Sequence, residues 1–165
     1  MEKVYTKSIR NVALLGHSGG GKTSLAEYML YISRLTDRLG NIADGNTICD
    51  YDPEEIKRGY SISAASAPLL WNGAKINILD TPGFFDFVGE AKQALHVAGS
   101  AVLVVDGKSG PKVGTELCWD MAANKPKAFF VNKMDDENAD FDKTLNGLRD
   151  IFGTTVCPVF VPLTD

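Results

Sequence analysis

Three short stretches carry residue types at spacings suited to a phosphorylated ligand. The first is GHSGGGKT at 16–23. It fits the phosphate-binding pattern G-x-x-x-x-G-K-[ST]. Gly16, Gly19, Gly20 and Gly21 let the backbone curl, so that N–H groups from Gly16 through His17 and Ser18 to Ser24 can face one anion. A helix opening at Lys22 would add the partial positive charge of its N-terminus. Lys22 would reach the β- and γ-phosphates, and the Thr23 hydroxyl would bind Mg²⁺.

The second stretch is DTPG at 80–83, closing an apolar run. Asp80 can hold a metal-bound water. Gly83 can offer its N–H to a γ-phosphate with no side chain in the way. The third is NKMD at 132–135, again after an apolar run. Asp135 can accept two hydrogen bonds, from N1–H and the 2-amino group of guanine. Adenine offers no such pair, and sites of this kind discriminate by ~10⁴. Lys133 would lay its aliphatic stem along the base, and Asn132 would tie this loop to the phosphate loop. The ligand implied is GTP or GDP with Mg²⁺.

These stretches need a scaffold that presents them side by side. Apolar runs at 11–16, 75–80, 101–106, 127–132 and 156–161 predict buried strands of a parallel sheet. Helical stripes alternate with them. They are Leu25, Met29, Ile32 and Leu39; then Val88, Ala91 and Leu95; then Val113, Leu117 and Met121; and last Phe141, Leu145, Leu148 and Phe152. Asn72-Gly73 between 62–71 and 75–80 predicts a hairpin. Pro68 puts that extra, antiparallel strand at an edge. Residues 40–60 show little periodicity and read as a long functional surface loop. The fold class is α/β, a three-layer P-loop architecture with a mostly parallel sheet and one antiparallel edge strand.

The bulk properties fit one domain. The chain has 165 residues, 44% hydrophobic and 23% charged, with net charge -4. That charge argues against a nucleic-acid face, and no DNA partner is expected. No run is long enough to span a membrane. Cys49, Cys118 and Cys157 have no CxxC spacing and read as free, apolar thiols in a reducing compartment. With no signal-peptide pattern at the N-terminus, the expected location is cytoplasmic. His17 reads as a structural loop residue and His96 as a surface or packing residue.

The order of the three motifs is that of GTP-binding proteins. DGNT at 44–47, RGYSI at 58–62, DTPGFFDFVGE at 80–90 and NKMD followed by Asn138, Ala139, Asp140 and Phe141 narrow the match. Together they resemble the translation-factor GTPases, and most closely elongation factor G and its paralogues. The resemblance runs from about residue 10 to the end. It implies a switch I-like loop at 40–60, a switch II-like segment at 80–90, and the ribosome as partner of the longer protein. It also implies that Ser61 stands where a family threonine coordinates Mg²⁺, giving Thr23, Ser61 and Asp80 as the metal set. The family's fifth motif follows a later strand and an inserted subdomain. Residues 1–165 are therefore expected to form a GTP-binding domain incomplete at its C-terminus, short of the last strand and helix and weaker in nucleotide affinity.

Two departures bear on catalysis. Phe84 stands where translation factors carry a water-placing histidine. Gly19 stands where they carry an aspartate. The catalytic group the resemblance implies is thus Lys22, Gly83 and Phe84, with GTP hydrolysis expected of the full-length protein and weak or none of residues 1–165. Phe85 reads as a packing anchor for the following helix. Two other functions stay open: a nucleotide-dependent switch with little hydrolysis, and an ATP-using P-loop enzyme, which NKMD disfavours.

Overall fold

The computed structural model describes residues 4–162. Five strands form one sheet: β1 (Ile9–Leu15), β2 (Ala65–Trp71), β3 (Ala74–Asp80), β4 (Ser100–Asp106) and β5 (Lys127–Asn132). Their order is β2-β3-β1-β4-β5. All pairings are parallel except β2 with β3. The hairpin turns at Asn72 and Gly73, with φ of 48° and 77°. That is the left-handed geometry a two-residue hairpin turn requires. Pro68 lies in β2, the edge strand, opposite Asn77.

Among the described residues there are five α-helices: α1 (Lys22–Ile32), α3 (Val88–Val97), α4 (Val113–Met121) and α5 (Phe141–Phe152) follow strands of the sheet, and the short α2 (Pro53–Arg58) lies within the 40–60 loop. Side chains alternate across β1, so Ala13 and Leu15 join Ala91, Leu95, Leu103 and Cys118 in one core layer. Leu14 joins Leu25, Leu30, Leu69, Ile78 and Val104 in the other. Fully burying a leucine such as Leu14, Leu15 or Leu103 contributes roughly 2–3 kcal/mol. At the β5 side, Trp119, Phe129 and Phe152 form an aromatic cluster with centroids 4.8–5.3 Å apart.

Several sequence expectations need correction. The run 156–161 forms no strand. Val159 and Phe160 are exposed, and Pro158 and Pro162 lack the N–H donors a ladder needs. They leave an apolar groove against β5 and α5. Helix α1 ends at Ile32, which is exposed, as is Leu39. Leu25, Ala26 and Leu30 make its inner face. In α4, Val113 and Leu117 face outward, while Gly114, Thr115 and Cys118 face inward. The small residues let α4 sit close to the phosphate loop: a Cβ on Gly114 would press on the His17 ring, 2.6 Å from Nδ1. Cys157 is exposed, unlike Cys49 and Cys118.

The 40–60 loop is not irregular throughout. Asp52 caps α2, accepting from the Glu54 amide at 2.8 Å, with Pro53 at the first helical position. Glu55 completes a capping box by accepting from the Asp52 amide at 3.2 Å. Asp-Pro-Glu-Glu was the readable signal for this helix.

Candidate functional site

The strand order explains why motifs far apart in sequence meet. β1 lies between β3 and β4, and β5 follows β4. In an open parallel sheet, the loops leaving the C-terminal ends of neighbouring strands share one crevice. Here those loops are 16–21 after β1, 81–84 after β3, 107–112 after β4 and 133–135 after β5, with Asp80 and Asn132 as the last residues of their strands.

The phosphate loop wraps back onto its own lysine. Lys22 Nζ donates to the carbonyls of Gly16 at 3.0 Å and His17 at 3.2 Å. Gly21 caps α1 with φ 90°, and a Cβ there would strike Asn132 Nδ2. Gly83 approaches as closely: its Cβ would fall 2.5 Å from Lys22 Nζ and 2.7 Å from Ser18. Gly19 and Ser24 are exposed on the rim, and Gly20 is buried beneath.

The three residues assigned to the metal converge. The hydroxyls of Thr23 and Ser61 are 3.1 Å apart. Asp80 is 2% exposed. Its Oδ1 has no hydrogen-bond partner among the described residues. Burial raises its pKa from 3.8 to about 7, against the Thr23 hydroxyl and the Lys22 ammonium. Burial also lowers the pKa of Lys22, with Asp80 opposing.

A fourth group, absent from the sequence reading, joins them. Asp50 is 3% exposed, lies within electrostatic reach of Ser61 and Asp80, and has no hydrogen-bond partner for either carboxylate oxygen among the described residues. Burial raises its pKa, with the Ser61 hydroxyl opposing most strongly. Two buried carboxylates with unmet oxygens beside two hydroxyls are a hard-oxygen donor set suited to Mg²⁺. No signal in the sequence picks Asp50 from the other acids of the 40–60 loop.

At the base end, Asn132 Nδ2 donates to the Gly20 carbonyl at 3.0 Å. Lys133, at φ 59°, donates to the Gly19 carbonyl at 2.7 Å and to Asp106 Oδ2 at 2.9 Å. The Asp106 pKa is pushed below the usual carboxylate range, because hydrogen bonds from Lys133 and Ser109 outweigh its desolvation. Asp135 lies three residues after Asn132 and is exposed, and no ion pair to its side chain occurs among the described residues.

The two phenylalanines of DTPGFF reach different loops. Phe84 packs on Tyr60, centroids 4.6 Å apart. Phe85 lies edge-on to His17 at 6.2 Å and is exposed. It therefore touches the phosphate loop and does not anchor the following helix inward. His17 Nδ1 is buried with no hydrogen-bond partner among the described residues. Desolvation, then Lys112 and Lys22, lower the pKa of that ring and favour its neutral form. His96 is exposed on α3. Thr81 roots the segment, donating to the Leu14 carbonyl at 2.6 Å.

The family model described as the elongation factor Tu GTP binding domain matches residues 7–160. The chain belongs to this family. As a member of the elongation factor Tu GTP-binding family, it is a guanine-nucleotide-binding domain with relatives among elongation factor G-like proteins. It is 37% identical over 159 residues to an elongation factor G-like protein of Mycobacterium tuberculosis, covering 95% of this chain and 22% of that one. It is 40% identical over 164 residues to the mitochondrial ribosome-releasing factor 2 of Anopheles gambiae, covering 98% and 22%. A crystal structure from Thermus thermophilus superposes with TM-score 0.85 at 39% identity, covering 88% of this chain and 22% of that one. Translation elongation factor SelB of Methanococcus maripaludis, solved with the GTP analogue GppNHp, shares the fold at TM-score 0.61 and 21% identity, over 85% of this chain and 25% of that one. The chain thus spans 22% of the length of the curated relatives named here. No helix among the described residues is long and apolar enough to cross a membrane.

Proposed function

We propose that this chain binds Mg²⁺-GTP and GDP at the crevice described, and that in a longer protein it couples GTP hydrolysis to action on the ribosome. The observation that carries the nucleotide reading is the tie between the NKMD and phosphate loops. Asn132 and Lys133 hold the Gly20 and Gly19 carbonyls while Asp135 is left free to receive a base. Thr23, Ser61, Asp80 and Asp50 would hold the metal, which would supply neutralisation of charge on the phosphates. Lys22 and the Gly83 amide would face the γ-phosphate. The ribosome enters through the relatives named ribosome-releasing factor 2. Action in the cytoplasm is part of the same proposal, although that relative is named as mitochondrial.

A second reading is favoured by Phe84. Its ring rests on Tyr60 and offers no group to orient a water. The domain would then serve mainly as a nucleotide-dependent switch, in which 40–60 and 80–90 respond to the γ-phosphate. Single-turnover GTP hydrolysis with and without ribosomes separates the two. Ribosome stimulation supports coupled hydrolysis, and its absence supports the switch. Competition of ATP and GTP against fluorescent GDP tests the base site. Asp135→Asn should lose roughly 10²-fold in GTP affinity and most of the guanine preference. Unchanged preference in that variant would mean that the base lies elsewhere.

A further inference from the structure

Glu27 is a buried carboxylate that none of the three motifs requires. It lies on α1 one turn beyond Thr23 and is 2% exposed. No ion pair to it occurs among the described residues. Instead its Oε1 accepts from two consecutive amides of the 40–60 loop, Ile48 at 2.7 Å and Cys49 at 3.0 Å. On the other side the loop closes tightly over it. A Cβ at Gly40 would collide with Glu27 Oε2 and lie 3.1 Å from Thr47 Cα. The loop from 40 to 49 is therefore wrapped around one carboxylate, and the next residue is Asp50.

We propose that Glu27 is a positioning residue: by fixing the Ile48 and Cys49 amides on α1, it seats the Asp50 carboxylate beside Asp80, Thr23 and Ser61 and so sets the domain's affinity for Mg²⁺. The inference rests on the magnesium-nucleotide reading above and adds a residue to it. An unpaired buried carboxylate is costly unless its oxygens are hydrogen-bonded. Glu27 meets that need with the amides of the two residues that precede Asp50, whose own oxygens have no partner among the described residues. Thr23 and Glu27 then act from one helix face. Thr23 touches the end of the loop through Ser61, and Glu27 grips its middle. Outer-shell groups of this kind govern metal affinity by holding ligands in place.

Two measurements on the 165-residue chain test this. Amide exchange at Ile48 and Cys49 reads the contact without nucleotide or metal. Mg²⁺ titration of fluorescent-GDP dissociation reads the consequence. Glu27→Ala should speed exchange at both amides about 10- to 100-fold. It should also raise the half-saturating Mg²⁺ about 10-fold or more, while GDP affinity in excess EDTA stays the same. Glu27→Gln keeps an acceptor oxygen and should restore both readouts to within about 3-fold of the parent. Should Glu27→Ala fail to fold, Gly40→Ala, which crowds Glu27 Oε2 from outside, must shift the Mg²⁺ midpoint in the same direction. The proposal is overturned if Ile48 and Cys49 exchange unchanged in Glu27→Ala. It is also overturned if the Mg²⁺ midpoint fails to move while exchange does. Absence of GDP binding by the parent chain would defeat the nucleotide reading instead, and with it the magnesium role, leaving the exchange data to report only on loop anchoring.

Discussion

At Phe84 the second motif carries a ring that, on the proposed nucleotide reading, would stand where a water-orienting group is needed. The ring is 40% exposed and leans on Tyr60. Intrinsic turnover should therefore be on the order of 10⁻³ s⁻¹ or slower, as for unassisted GTPases. Phe84→His in a longer form of the protein should raise single-turnover hydrolysis at least ~10-fold. No gain would show that this position does not set the rate. Asp80 gives a pH prediction for the metal-free chain. Its proton is held more tightly in the fold, with a pKa of about 7 against 3.8. Both states are protonated below pH 3.8, so there the group contributes nothing. As pH rises toward 7 the unfolded state ionises first, and stability falls. Urea midpoints from pH 4 to 7.5 should show this decline, and Asp80→Asn should lessen it, with Asp50, whose pKa burial also raises, keeping a remainder. The motifs were legible in the sequence because phosphate and base chemistry dictate both residue type and spacing. Asp50, Glu27, Asp106 and Tyr60 were not, since each acts through a contact that only the folded chain brings about.

Among the elements, the 40–60 loop departs most from its sequence pattern. Glu55 is 2% exposed, and besides its capping bond it accepts from the Ile62 and Ser63 amides at 2.8 and 3.0 Å. Ala64 donates in turn to Glu90 of α3 at 2.8 Å. The chain just beyond the 40–60 loop is thus tied to the 80–90 segment by an amide-to-carboxylate hydrogen bond, and the loop itself meets that segment through the Tyr60–Phe84 rings. Glu55→Ala should cost about 2–3 kcal/mol in denaturant unfolding, since it strips several amides of a charged acceptor. A change under about 0.5 kcal/mol would mean that water replaces these bonds freely. The strands and the hairpin were readable from apolar runs and Asn72-Gly73, because a buried parallel sheet leaves little choice of residue. The α4 stripe misled. Its buried face is made of small residues chosen for close approach to His17, so the large apolar residues point away from the core.

For the molecule as a whole, the crevice depends on the four parallel strands β3, β1, β4 and β5. The fold class was evident from the alternation of runs and stripes. The behaviour of 156–162 was not, because hydrophobicity alone cannot register two prolines that deny the ladder its donors. The bonds that close the base end join residues far apart in the chain: Asn132 to Gly20 spans 112 positions, and Lys133 to Gly19 spans 114. Contacts of such separation carry a large loop-closure entropy and form late. A folding transition state without β4–β5 pairing holds no crevice for the ligand to favour. Guanine nucleotide should then leave the refolding limb of a chevron plot where it is and lower only the unfolding limb, in proportion to ligand occupancy. Stopped-flow folding with and without saturating GDP checks this, and an accelerated refolding limb would contradict it. The Asn132 and Lys133 ties would then have a kinetic meaning besides their architectural one: a bound nucleotide should lengthen the lifetime of the native state without helping the chain to find it.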